Sequence, residues 1–98
     1  MQQLTSSTML RASKDCVARE ITGEIVLLNL RNGIYFGLDE TGTHIWTLLA
    51  DTIAFGSLVQ AIHDRTGASP SQIEADLRLF LDDLLNHDLV DIDKAAAQ

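Results

Sequence analysis

The groups able to do chemistry in these 98 residues are few and scattered. His44, His63 and His87 fall on different predicted helices or helix ends. None forms a recognised ligand pattern with another His, Cys or carboxylate, although His63-Asp64 and His87-Asp88 are adjacent; all three read as surface histidines. Cys16 would be a nucleophile only beside a base brought to it by the fold, and it reads instead as a small half-buried residue. As the single cysteine it forms no internal disulfide and no zinc site, which points to a reducing compartment. Asp82 and Asp83 are neighbours in sequence, so on a helix they point about 100° apart and do not make a catalytic dyad. The six glycines are dispersed and form neither GxGxxG nor a phosphate loop. The sequence offers no catalytic residue, no metal ligand set and no cofactor motif, and the expectation is a protein that is not an enzyme.

The elements that position the remaining residues divide into a strand half and a helix half. Val17–Ile21 is a short strand closed by Thr22-Gly23, and Glu24–Leu30 is rich in β-formers. Asn32-Gly33 is a strong hairpin signal, because both central residues of a type I′ turn need positive φ. A two-residue loop there sets Leu30 opposite Tyr35 and Leu28 opposite Gly37, in a third strand running from Ile34 to Leu38. One sheet face then carries Ile25, Leu27, Ile34, Phe36 and Leu38, and the other Val26, Leu28, Leu30 and Tyr35. Both faces are apolar, so either each is covered by its own chain or one awaits a partner.

From Asp39 the period becomes helical. Asp39 and Thr41 are candidate N-caps of a first helix with Ile45, Leu48 and Leu49 inward and Trp46 beside them. A second helix spans about Phe55 to Arg65, its stripe being Phe55, Leu58, Ala61 and Ile62, with Gly67 as its stop. The third has Ser69 as N-cap, Pro70 at the first position and Gln72 three residues after the cap, and runs to about Asn86. Leu89-Val90-Asp91-Ile92 alternates and closes the fold as a short extended piece. The order describes an α+β, small winged-helix-like domain: a three-stranded antiparallel sheet followed by three helices.

On a wheel of about 100° per residue, Ile73, Leu77, Phe80, Leu81 and Leu84 of the third helix share one face, with Leu85 at its edge. Leu79 lies on the far side, beside Ala75, Asp76 and Asp83. It is either a lone exposed leucine or one wall of a second apolar groove, shared with Phe80 and rimmed by Asp76 and Asp83. The hairpin also leaves an open strand edge, a template for an extended peptide. Ladder bonds of about 1 kcal/mol net each roughly match the 1–2 kcal/mol needed to order a peptide residue. Affinity therefore needs side-chain pockets beside the edge, and an apolar helix wall supplies them.

Composition closes off other classes. A hydrophobic fraction of 46% with 21% charged residues is globular, and 98 residues make one domain, with an ordered core over about 10–92 and frayed termini including Lys94–Gln98. Seven basic against 14 acidic residues give a net charge of −7, which disfavours both nucleic acid and anionic membrane. The first nine residues, MQQLTSSTM, contain no apolar export segment, and no run is long enough to span a bilayer. The expected location is cytoplasmic.

The stretch Ile25–Leu30, Gly33–Gly42 and Ile45-Trp46, followed by Ile73, Asp76-Leu77, Phe80-Leu81, Leu84 and Leu89-Val90, resembles the PqqD family of precursor-peptide recognition domains. The resemblance covers roughly Cys16 to Ile92. The GxYFGLxxTGxxIW character is similar to the stand-alone members of lasso-peptide pathways. It implies a winged-helix-like fold of three strands and three helices, in which the leader segment of a ribosomally made precursor adds to the third strand and packs against the third helix. Carried onto this chain, the peptide-binding residues are Ile34, Tyr35, Phe36, Gly37 and Leu38 on the strand and Asp76, Leu79, Phe80 and Asp83 on the helix. It also implies a protein partner, a leader peptidase or another modifying enzyme of the same pathway, since lasso-type relatives work with a cysteine protease and a cyclase. One departure concerns the last turn: Asn86-His87-Asp88 stands where the family often has a glycine.

Two other readings remain at this level. A winged-helix nucleic-acid regulator shares the architecture, but the third helix carries only Arg78 against Glu74, Asp76, Asp82 and Asp83. A structural domain that self-associates would use the open sheet edge for pairing with itself.

Overall fold

The computed structural model describes residues 4–93. The elements run β1 (Met9–Ala12), β2 (Cys16–Ile21), β3 (Glu24–Asn29), β4 (Tyr35–Leu38), α1 (Glu40–Leu48), β5 (Ile53–Ala54), α2 (Phe55–Thr66), α3 (Pro70–Asn86) and β6 (Val90–Ile92). The α+β, winged-helix-like arrangement expected from the residue pattern is present. Its strands form two antiparallel sheets rather than one, ordered β2-β3-β4 and β5-β1-β6.

The first sheet is the expected meander. Its first turn is the two-residue loop Thr22-Gly23, where both residues have positive φ (50° and 84°) and Ile21 faces Glu24. The second turn departs from expectation. Of Asn32-Gly33 only Gly33 takes positive φ, and four residues, Leu30 to Gly33, form the loop between the bonded pair Asn29 and Ile34. The cause is Asn29. Its side chain is buried, and its Oδ1 accepts from the backbone N–H groups of Arg31 (2.8 Å) and Asn32 (3.4 Å), which ties up the turn. The register is therefore Leu28 opposite Tyr35 and Leu27 opposite Phe36, two residues from the expected one. A slip of two leaves every side chain on its expected face, because the strand period is two.

The second sheet lay beyond local pattern reading. Leu10 of β1 sits opposite Ile53 of β5 and Ile92 of β6, so three short segments far apart in sequence close one layer. The apolar packing starts at Leu4, which is buried, ahead of the expected start near residue 10. The tail Lys94–Gln98 lies outside the described residues.

The helices follow their caps. Asp39, not Thr41, caps α1, its carboxylate accepting from the Gly42 N–H at 2.7 Å. Gly67 ends α2 with φ 74°, a left-handed conformation that glycine adopts without a Cβ clash. Ser69 caps α3 through the Gln72 N–H, with Pro70 in the first turn. Leu58, Leu77, Leu81 and Leu84 from α2 and α3 meet Leu27, Leu38, Ile45 and Leu49 in one core. No helix of the described residues is long and apolar enough to cross a membrane.

Candidate peptide-binding cleft

β4 is an edge of its sheet, hydrogen-bonded to β3 on one side only. The Asn29 N–H donates to the Ile34 carbonyl at 3.0 Å, and bonded pairs alternate in an antiparallel ladder. Phe36 therefore turns its backbone groups toward β3. Tyr35 and Gly37 present theirs to the open edge. The third strand read from sequence thus lies on the sheet's free edge, starting at Tyr35; Ile34 sits in the preceding turn, 37% exposed.

The wall beside this edge is α3. The Phe36 ring meets the Phe80 ring at 6.4 Å with planes at 69°, an edge-to-face contact, and meets the His87 ring at 5.8 Å. Phe80 and His87 are seven residues apart, two turns of one helix face. Asp76 and Asp83 flank that line on the same wheel, and Leu79 stands farther out, 70% exposed. The structure thus brings Phe36 against Phe80 and His87, while Asp76, Asp83 and Leu79 share the adjoining side of α3 by helical spacing. Leu38 has its side chain buried in the core and, two residues on from Phe36, turns its backbone groups toward β3 as well, so neither is presented to the free edge. The Tyr35 side chain alternates with Phe36 and leaves on the opposite sheet face, 69% exposed. It does not enter the cleft.

A cavity of about 310 Å³ opens among α1, α2 and α3, with Phe80 and Asp76 forming part of its lining. Its apolar floor includes Ile45, Ile73 and Leu77, and Asp39, Thr41 and Gln72 stand with them around it. Gly42 permits it: a Cβ there would come within 3.3 Å of the Phe80 ring and 3.2 Å of the Asp39 carboxylate. Phe80 thus separates two apolar spaces, contacting Phe36 on one side and the cavity on the other. The Asp76 carboxylate accepts from the Gln72 side-chain amide at 3.1 Å. Neither Asp76 nor Asp83 forms an ion pair with a described residue, so the wall keeps its negative charge.

Sequence reasoning missed His87, Asp39 and Gly42 here. His87 had a signal, its i+7 spacing from Phe80; the other two are positioned by the approach of α1 to α3, which no local pattern reports. The histidines are also less superficial than expected. All three are half-buried. The ring Nδ1 of His63 is 2.7 Å from the Ala68 carbonyl and that of His87 is 2.7 Å from the Asp83 carbonyl. The Nε2 of His44 is buried with no described partner. Cys16 is half-buried, and burial raises its thiol above the usual value, against a smaller lowering by a backbone hydrogen bond from Leu28. Among the described residues no three His, Cys, Asp or Glu side chains are grouped to hold a metal. Arg78, the one cation of α3, is half-buried and engaged by its own chain. It donates to the Leu4 carbonyl, pairs with Glu74 at 2.7 Å and stacks 4.9 Å from the Phe55 ring.

Two comparisons with known proteins find a match. The sequence model of the family described as Coenzyme PQQ synthesis protein D (PqqD) matches residues 24–90, from β3 to the start of β6. The solved structure described as TbiB1 in complex with the TbiA(beta) leader peptide superposes with a TM-score of 0.75 at 38% identity, covering 83% of this chain and 94% of that one. No curated protein matches the sequence.

Proposed function

The chain belongs to the PqqD family, and from that premise we propose that it binds the leader segment of a ribosomally made precursor peptide and presents it to a modifying enzyme. The leader adds as a strand to the open edge of β4, with alternate side chains facing α3. The observation that carries this reading is the pairing of a free edge at Tyr35 and Gly37 with an apolar, acid-flanked helix wall at Phe80. It is supported by the 38% identical TbiB1, which was solved with a leader peptide.

The division of labour follows from the magnitudes. Main-chain bonds to β4 fix the direction and register of the leader. Affinity comes from apolar leader side chains packed over Phe36, Phe80 and Leu79, at roughly 25 cal/mol per Å² removed from water. Asp76 and Asp83 favour basic or polar leader positions alongside. The chain contributes no catalytic group to this work and acts by binding alone, in the cytoplasm. Its partners are the precursor leader and a leader peptidase or other modifying enzyme, and the GxYFGLxxTGxxIW stretch favours a lasso-type pathway.

Against the nucleic-acid reading stand the net charge of −7 and the engagement of Arg78 by Glu74 and the Leu4 carbonyl. The proposal is tested by titrating the chain with a fluorescently labelled leader from the precursor of its own gene cluster. Saturable binding, competed by unlabelled leader and not by the core segment, is the expected result. No binding by folded protein at high micromolar concentration removes it.

A further inference from the structure

Gly42 lies in the first turn of α1 and is buried. Its φ is not positive, so the backbone does not demand glycine there. Alanine is the better helix former, because glycine loses more backbone freedom on folding. What demands glycine is space. A Cβ at this position would come within 3.3 Å of both Cε1 and Cζ of Phe80, and within 3.2 Å of the Asp39 carboxylate. Both distances are shorter than the roughly 3.5–4.0 Å of an ordinary carbon contact. From the other side the same ring meets Phe36 of β4, with centroids 6.4 Å apart. The Phe80 ring is thus seated between α1 and the edge strand, and the missing side chain of Gly42 sets how far back toward α1 it sits.

We propose, resting on the peptide-binding reading above, that Gly42 is a specificity-determining residue of the leader cleft. By seating Phe80 against α1 it leaves room beside Phe36 for one large apolar side chain of the leader. Phe80 is half-buried, so part of its ring faces the space in which the leader packs. A Cβ at residue 42 displaces that ring away from α1 by a few tenths of an ångström. Phe36 stands behind it, so the ring moves into the space the leader side chain fills. Close packing is sensitive to shifts of this size, because overlap is costly and dispersion falls steeply with distance. A large apolar leader residue loses most. The main-chain bonds at Tyr35 and Gly37 are formed away from the ring and are kept. The chain therefore carries a poorer helix former in α1 and gains width in the cleft.

The test titrates a fluorescently labelled leader from the precursor of the same gene cluster against four full-length chains: wild type, Gly42→Ala, Phe80→Leu and the double variant. Gly42→Ala should weaken binding about tenfold when Phe80 is present and less than twofold in the Phe80→Leu background, where the crowded ring is gone. Leaders with each large apolar residue truncated to alanine identify the occupant: one truncation should weaken wild-type binding about tenfold and have little effect on Gly42→Ala. If Gly42→Ala does not fold, Phe80→Trp enlarges the ring on the same seat and should show the same tenfold loss. Wild-type affinity in the single variant overturns the proposal and leaves the peptide site standing. An equal loss in both backgrounds also overturns it, because the effect then comes from the Asp39 cap or from the fold at large. Failure of the folded wild-type chain to bind leader overturns the proposal and the peptide-binding reading together.

Discussion

Asn29 at the end of β3 holds the end of α3 in place: its Nδ2 donates to the Asp88 carbonyl at 2.9 Å and to the His87 carbonyl at 3.2 Å. Its Oδ1 meanwhile accepts from the turn that leads into β4. One buried amide thus ties both walls of the cleft together, with His87 carried against Phe36. Asn29→Ala removes these part-buried hydrogen bonds and should cost about 1–3 kcal/mol, read as a lower midpoint in urea unfolding. A loss under 0.5 kcal/mol would show that the tie contributes nothing.

Leu79 is 70% exposed, so its replacement costs the fold little. Leu79→Asp should leave the helical circular dichroism intact and weaken leader binding by roughly tenfold, about 1.4 kcal/mol, in an anisotropy titration. Unchanged affinity would place the groove elsewhere.

Asp76 and Asp83 give the α3 wall negative charge that no described residue pairs. If leader cations sit beside them, affinity falls as salt rises, since exposed charge pairs are screened over about 10 Å at 0.1 M. The double change to Asn should flatten that salt dependence. An identical salt slope in wild type and variant would remove the electrostatic contribution.

Asp88 has φ 57°, the left-handed conformation that costs an L-residue energy and glycine almost none. The chain meets this backbone demand with an aspartate, a residue that tolerates it better than most. Asp88→Gly should stabilise by about 0.5–1 kcal/mol, raising Tm by a few degrees in a thermal melt. A lowered Tm would show that the Asp88 side chain contributes more than the backbone strain costs.

Burial raises the Cys16 thiol, so its thiolate fraction at pH 8 should be below that of the unfolded chain. Iodoacetamide should label it more slowly in buffer than in urea. The sign of the linkage follows: the folded chain holds this proton more tightly, so its contribution is full below the unfolded thiol value of about 8.5 and is lost as pH rises through the folded one. Faster labelling of the folded protein would contradict this.

The local signals in this chain were strong where structure is local. Ser69-Pro70 with Gln72, Gly67 and the stripe Ile73-Leu77-Leu81-Leu84 specify α3 and the end of α2 within the chain's own neighbourhood. Leu79 was legible as out of place from the wheel alone, because helix geometry is fixed at 3.6 residues per turn. The faces of β3 and β4 were also legible, since a period of two survives a register slip of two. What only the tertiary structure decided involves contacts distant in sequence. β1 and β5 have four and two residues, too few for a period, and they are strands because Leu10 finds Ile53 and Ile92. The second turn follows a buried Asn29 whose partners are 58 and 59 residues away. The cavity beside Phe80 exists because α1 approaches α3 at Gly42. Pairing across such separations is set by the packing of the whole core, and no window of sequence contains it.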